Sequence, residues 1–162
     1  MHPMRQSKRQ IEDFAEILEI LEKADACRVA LADGEQPYIV ALNHGVVTEP
    51  EFALFFHCAN EGRKLEIIRR NPRACFQVDV DHELLTASHA CGYSMNYRSV
   101  IGFGTIAIVT DPAERRRGLD ALMRHYGGKS DGWEYLEQSL GRTTVLKLTV
   151  EEWSGKKLLK RH

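Results

Sequence analysis

Between Phe52 and Pro72 the hydrophobic period of the chain changes within a few residues, and that change limits what the rest can build. Phe52-Ala-Leu-Phe-Phe-His-Cys58 reads as an apolar strand, Asn60-Glu-Gly62 as a turn, and the run from Gly62 to Asn71 as a short helix. The first turn of that helix carries Arg63 and Lys64. A helix start presents unpaired N–H groups and the positive end of its dipole, so two cations there can help gather an anion. His57, at the polar end of the strand, immediately precedes the junction. The competing reading is a solvated basic face, with Glu61 opposing any anion. We read the junction as the seat of a cofactor phosphate, with the surrounding sheet holding the rest of the cofactor.

The remainder of the chain supplies that sheet. Residues 10–24 predict an amphipathic helix, with Ile11, Phe14, Ile17, Leu18 and Leu21 at three- and four-residue spacing. The period then drops to two. Arg28 to Ala32 is a strand, Asp33-Gly34 a hairpin signal, and Gln36 to Asn43 the partner strand. Asn71-Pro72 stops the short helix. In residues 74–80, Phe76, Val78 and Val80 face one way and Cys75, Gln77 and Asp79 the other. The segment from Asp81 to Tyr93 is rich in small and polar residues and reads as a loop or a partly extended excursion. Ser94 to Thr110 is a long strand, with Gly102 and Gly104 where a bulge would fit. It is apolar on both faces, which asks for cover on both sides, and a second copy of the chain can provide one of them. Asp111-Pro112 with Glu114 opens a capped helix that Gly127-Gly128 ends. A short helix near Trp133–Leu140 and a final strand from Thr143 to Val150 complete the pattern. The expected architecture is one α+β domain over 1–162: six antiparallel strands in a small Greek-key barrel with flanking helices.

Composition narrows the function classes. The 162 residues carry 22 basic and 23 acidic side chains, a balance that argues against a dedicated nucleic-acid binder. Arg69, Arg70, Arg73 and Arg115–Arg117 lack interleaved aromatic residues, so surface solubility explains them. Cys27, Cys58, Cys75 and Cys91 form no CxxC pair, which fits free thiols in a reducing, cytoplasmic setting. The N-terminal residues do not read as a secretory signal, and no stretch has the length to cross a bilayer.

Several segments, in order, carry a family resemblance. They are Pro37 to Asn43, Phe56-His-Cys-Ala-Asn-Glu-Gly-Arg-Lys-Leu65, Asn71-Pro72, Cys91 to Gly104, and Arg142 to Glu152. Together they resemble the pyridoxamine-phosphate-oxidase-like flavoproteins with the FMN-binding split barrel, and within them the nitroimidazole-resistance (Nim-type) branch. The resemblance implies a homodimer with FMN between the subunits and a small-molecule substrate, without nucleic-acid or membrane partners. It places Gly62, Arg63 and Lys64 at the flavin phosphate. It sets Val40, Ala41, Leu42 and Asn43 along the ring edge with Arg28 and Val29 beside them, and His57, Cys58 and Ala59 along the ribityl chain or ring. Tyr97 and Ser99 are the candidates contributed by the opposite subunit. Two positions depart from the Nim-type pattern: Ala41 stands where a proline is expected, and Val46 near an expected aromatic residue.

With FMN the redox chemistry belongs to the cofactor, and the protein supplies position and electrostatics. That suits a sequence with no nucleophile elbow or activated cysteine. His57 is the candidate catalytic residue, because histidine titrates near neutral pH. Asp81-His82 and His89-Ala90-Cys91 match no closed zinc motif, so no metal site is expected. Haem is the alternative cofactor, with His57, His82 or His89 as an axial ligand. Two functions remain open at this stage: an FMN-dependent oxidoreductase acting on a small nitroaromatic or related compound, and a non-catalytic protein that senses or carries flavin or haem.

Overall fold

A computed structural model describes residues 4–128 and 131–160. Its organising element is a break in the chain at Asn43. Strands β3 (Gln36–Leu42) and β4 (His44–Val47) are consecutive, separated by that one residue, yet they occupy opposite ends of the sheet. The remaining strands are β1 (Gln10–Ile11), β2 (Cys27–Asp33), β5 (Ala53–Ala59), β6 (Arg73–Leu85), β7 (Ser94–Ile108) and β8 (Thr143–Leu158). Their lateral order is β3-β2-β6-β7-β8-β5-β4, antiparallel throughout, with β1 added on β8. A twisted sheet whose two edges are joined through one residue must roll back on itself. The product is a barrel that is closed by the chain but not by a hydrogen-bonded ladder between β3 and β4.

Among the described residues the sheet has eight strands, where the sequence pattern gives six. The difference has two sources. The stretch expected as one strand through Asn43 is followed at once by β4, and β1 replaces the first turn of the expected helix. Helix α1 therefore runs Phe14–Lys23, started by Asp13, whose carboxylate accepts from the Ala15 N–H at 2.9 Å. β6 continues to Leu85 past a register shift at Asp81, which adopts φ 60°. The expected loop is thus extended in its first part. β8 likewise runs on to Leu158, and the short helix α4 is Glu137–Gly141. A register shift falls between Phe103 and Gly104, but its extra residue is Glu151 on β8, so the bulge expected in the Gly102–Gly104 strand lies on its partner instead. A side chain on Gly102 would strike the Phe76 ring, and one on Gly104 the Thr149 carbonyl.

The barrel interior is packed by Val29, Leu54, Phe56, Phe76, Val78, Val100, Ile106, Leu146 and Leu148. Helix α2 (Arg63–Arg70) adds Leu65, Ile67 and Ile68 to this core, and α1 adds Ile17, Ile20 and Leu21. A salt-bridged network ties α1 to the sheet: the largely buried Arg98 on β7 donates to Asp81 at 2.5 Å and to Glu19 at 2.7 Å. Helix α3 (Pro112–Gly127) lies outside the barrel, with Leu119 and Leu122 packed beside Phe55 and Val145 in a second cluster. Asp111 caps it through the Glu114 N–H at 2.8 Å, in the expected spacing.

Polar contacts fasten α3 to the break in the barrel. The His44 N–H donates to the Tyr126 hydroxyl at 3.1 Å, and that hydroxyl donates to the Asp25 carbonyl at 2.9 Å. The His44 ring is fully buried. Its Nε2–H donates to the Leu21 carbonyl at 2.8 Å, and its Nδ1 has no partner among the described residues. Protonating Nδ1 would place an unsatisfied charge in the interior, so burial pulls the pKa down to about 4.

Two outcomes follow for stability. The unfolded chain takes up the His44 proton near pH 6.5 but the folded chain only near pH 4, so folding stability falls as pH drops through that window. Chemical denaturation at pH 7 and 4.5 should differ by roughly 2–3 kcal/mol from this group, and His44→Gln should remove that share of the slope. Gly45 faces the α3 backbone, where a Cβ would overlap Ala121 and Leu122. Gly45→Ala should therefore cost about 1–3 kcal/mol in the same assay.

Candidate functional site

Because β4 pairs with β5 only from His44↔Phe56 to Val47↔Ala53, the end of β5 at His57, Cys58 and Ala59 has no ladder partner on that side. β3 is likewise an edge strand, paired with β2 alone. The two unpaired edges diverge from Asn43 and enclose a split. From Asn43 to Tyr38 it runs five residues, about 17 Å of extended chain. Its walls offer free backbone N–H and C=O groups, which a planar ligand with a polar edge can satisfy as an added strand would.

The far end of the split is cationic. Gly62 precedes α2 with φ 126°, a conformation that favours glycine, and no side chain caps the helix. Lys64 is half-buried and has no hydrogen-bond or ion-pair partner among the described residues. Its charge reaches the Cys58 thiol, whose pKa is raised by burial and partly lowered again by Lys64. Arg63 is arranged differently from the sequence expectation. Its guanidinium is paired with Asp33 at 2.9 Å and stacks over the Tyr38 ring, 5.1 Å from the centroid. Arg70 shares the same carboxylate at 2.7 Å. The hydrogen bond from Arg63, with that from Arg70, holds Asp33 below the usual carboxylate range. Asp33 was legible only as a hairpin residue; its role as a counter-ion arises from the packing of α2 against the β2–β3 turn.

The other candidate residues separate by face. Val40 and Leu42 turn toward the core while Ala41 and Asn43 are exposed. Val29 is buried in the core, so it has no side-chain access to a ligand. Arg28 lies on the outer surface of the barrel, donating to Asp79 at 2.9 Å, opposite Ala41 and Gln77 in the ladder. Tyr97 and Ser99 are on β7, three strands from β3, and within one chain they do not meet the split. His82, also exposed, is bonded to Asp79 at 2.7 Å, and His89 precedes a short turn at Ala90–Gly92. Of the three histidines considered as haem ligands, His57 lines a concavity between β5 and α3. No cluster of three or more metal-ligating side chains occurs among the described residues.

His57 and Cys58 point to opposite sides of β5. Cys58 packs with the barrel core, whereas His57 lines a cleft of about 460 Å³ between the Asn43 vertex and α3. Leu119, Leu122 and Met123 form its apolar floor, and Asn43, Thr143, Tyr126 and Tyr135 supply the walls. This is the size range in which small molecules are held. The α3 residues of this cleft carry no distinguishing signal in the sequence, where the helix reads as ordinary packing.

Comparisons with known proteins agree with this geometry. The family described as pyridoxamine 5'-phosphate oxidase matches residues 13–157. A structure from Bacteroides thetaiotaomicron, provisionally assigned as a 5-nitroimidazole antibiotic resistance protein, is 34% identical, with a TM-score of 0.78. The match covers 91% of this chain and 86% of that one. The flavocytochrome Anf3 from Azotobacter vinelandii shares the fold at 19% identity and a TM-score of 0.81, covering 98% of this chain and 73% of that one. The FAD and heme binding protein from Mycobacterium smegmatis does so at 23% and 0.81, over 94% and 74% of the two chains. No curated protein gives a significant match. The ordered split barrel, the extent of the family match and the 34% identity lead to one assignment: the chain belongs to the pyridoxamine 5'-phosphate oxidase-like family.

Proposed function

We propose that this chain is an FMN-binding oxidoreductase that reduces a small nitroaromatic or related compound and works as a homodimer in the cytoplasm. The observation that carries the reading is the split: two unpaired strand edges meeting a helix start, with a lysine at the far end that has no ion-pair or hydrogen-bond partner among the described residues. A phosphate at the N-terminus of α2 takes the free N–H groups, the dipole and Lys64 together. Arg63 joins by turning from Asp33, to which it is bound on the exposed surface where such pairs are weak. The backbone of Val40 to Leu42 on β3 would hold the polar edge of the ring. A flavin held there supplies the electron transfer, and the protein's part is to seat it and to limit water. His57, without a hydrogen-bond partner among the described residues, is placed to pass a proton to a reduced substrate.

The dimer has its own physical support. Along one ladder row, Ile39, Ala30, Cys75 and Phe103 are paired in sequence across β3, β2, β6 and β7. Ile39 is 65% exposed, Ile101 41% and Phe103 39%, so an apolar stripe crosses the outer face and ends at the lip of the split. A second copy laid on this stripe would overhang the split and could bring Tyr97 and Ser99 to it.

FMN titration should show Lys64→Ala weakening binding by roughly 10- to 150-fold, the range for one charge-assisted bond, with the circular dichroism spectrum retained. Unchanged affinity would place the phosphate elsewhere. The pair Ile39→Lys and Phe103→Lys should yield a monomer by light scattering and lose at least tenfold in FMN affinity. A dimer of unaltered stability would reject this face. Turnover of a nitroaromatic with a reduced nicotinamide separates an oxidoreductase from a flavin carrier, which would bind FMN without catalysing it.

A further inference from the structure

We infer that Asp33 is an internal counter-ion that occupies Arg63 until a phosphate takes its place, and that it thereby sets how tightly the split keeps its cofactor. That the phosphate is a flavin's rests on the reading above; the competition of two anions for Arg63 rests on the ion cluster itself.

Asp33 is the fixed member of that cluster. It is the last residue of β2 and faces Gln36 across the tight turn into β3, so the ladder holds its backbone. Its side chain is 19% exposed, against 54% for Arg63 and 65% for Arg70. The carboxylate is therefore set in place, and the two guanidiniums, on long flexible stems, are the parts that can move. Both belong to α2, Arg63 as its first residue and Arg70 as its last.

The carboxylate divides its oxygens between them. Oδ2 accepts from Arg63 through Nε at 3.0 Å and Nη2 at 2.9 Å, and Oδ1 accepts from Arg70 Nη2 at 2.7 Å. One negative charge thus meets two positive ones. When Arg63 leaves, Asp33 is still paired with Arg70, so the exchange strands no carboxylate and the β2–β3 hairpin stays tied to α2. Arg70 is suited to be the partner that stays. It sits at the end of α2 away from the helix start, and its Nε donates to the Glu66 carbonyl at 3.3 Å.

Arg63 is only partly used in this state. A guanidinium has five N–H donors, and the Asp33 contact engages Nε and Nη2 alone. An incoming phosphate can meet the remaining N–H groups before Asp33 lets go. Until it does, the carboxylate opposes the ligand in two ways: it takes up the charge of Arg63, and it repels a second anion. A competitor anchored in the same chain acts as though at high concentration. A phosphate monoester prevails because it brings nearly two charges to the carboxylate's one, and because the N–H groups at the start of α2 and Lys64 add to Arg63. The cofactor is then held by exchange and can be given up again, with Asp33 ready to reclaim its arginine.

Titration of the full chain with FMN, riboflavin and inorganic phosphate tests this. Asp33→Asn should tighten FMN at least fivefold and inorganic phosphate likewise, while riboflavin, the same ring without the phosphate, stays within twofold. In an Arg63→Ala background the same change should gain less than twofold, since the cation it frees is gone. Asp33→Glu, which keeps the charge, should stay near the parent. Weaker or unchanged FMN binding in a folded Asp33→Asn protein would overturn the inference, because Asp33 would then be placing Arg63 for the phosphate. A gain that survives Arg63→Ala would also overturn it, since loss of any nearby negative charge would give that. The parent chain offers a check that no loss of fold can confuse. The Arg63 Nε–H signal in a nitrogen-15 spectrum, assigned by its absence from Arg63→Lys, should shift on saturation with FMN, and a signal unmoved by bound FMN would reject the exchange. A chain that takes phosphate with the Asp33→Asn gain, but takes no FMN, would uphold the counter-ion and discard the flavin reading. Failure of parent and Asp33→Asn to bind either anion would sink both.

Discussion

One covalent constraint governs this molecule: Asn43 joins the two edges of its sheet. A free sheet of this length could end in two exposed edges, each open to pairing with another molecule. Here the chain steps from β3 to β4 across a single residue, so the edges are brought within reach of each other without being able to pair along their length. The cavity that results is a property of backbone connection, and side chains decorate it afterwards. α2 closes one end with Leu65, Ile67 and Ile68 in the core, and α3 braces the vertex through Tyr126 and the packing on Gly45.

Placing functional groups around that constraint yields two compartments with different electrostatics. The split ends in a helix start and Lys64, with Arg63 paired to Asp33. The cleft on the other side of β5 is aromatic and uncharged in its described lining. Alternation along β5 makes the division, since His57 and Phe55 face α3 while Cys58, Phe56 and Leu54 face the barrel. A strand one residue out of register would exchange the two sets and merge the compartments.

Much of this was legible from residue order. The hairpin at Asp33-Gly34, the strand–turn–helix junction at 57–65 and the cap at Asp111 all follow from local chemistry. What was hidden depends on tertiary position. No glycine or proline marks the step at Asn43, so β3 and β4 could not be told apart. The polar run after Val80 masked the rest of β6, and Glu151-Glu152 read as the end of a strand. In fact Glu151 stays in β8 because Arg73 and Thr105 meet it across the outer surface, each at 2.7 Å. The face on which His57 lies could not be read either, because β5 is apolar on both sides and its period gives no direction. Arg63 was correctly placed at the helix start, but its counter-ion is thirty residues earlier in the chain and meets it only after folding.

The strand that binds the sheet together is also the last of the eight in chain order. β8 pairs with β7, β5 and β1, and its contact with β1 sets Gln10 and Ile11 against Lys156 and Gly155. During translation β2 through β7 can emerge and pair in part, but Leu54, Phe56 and Ile106 lack the strand that separates them from water until β8 leaves the ribosome. β1 must wait for the seven strands that follow it. A growing polypeptide of this kind carries an open, apolar trough until β8 emerges, and its demand on chaperones is set by that delay.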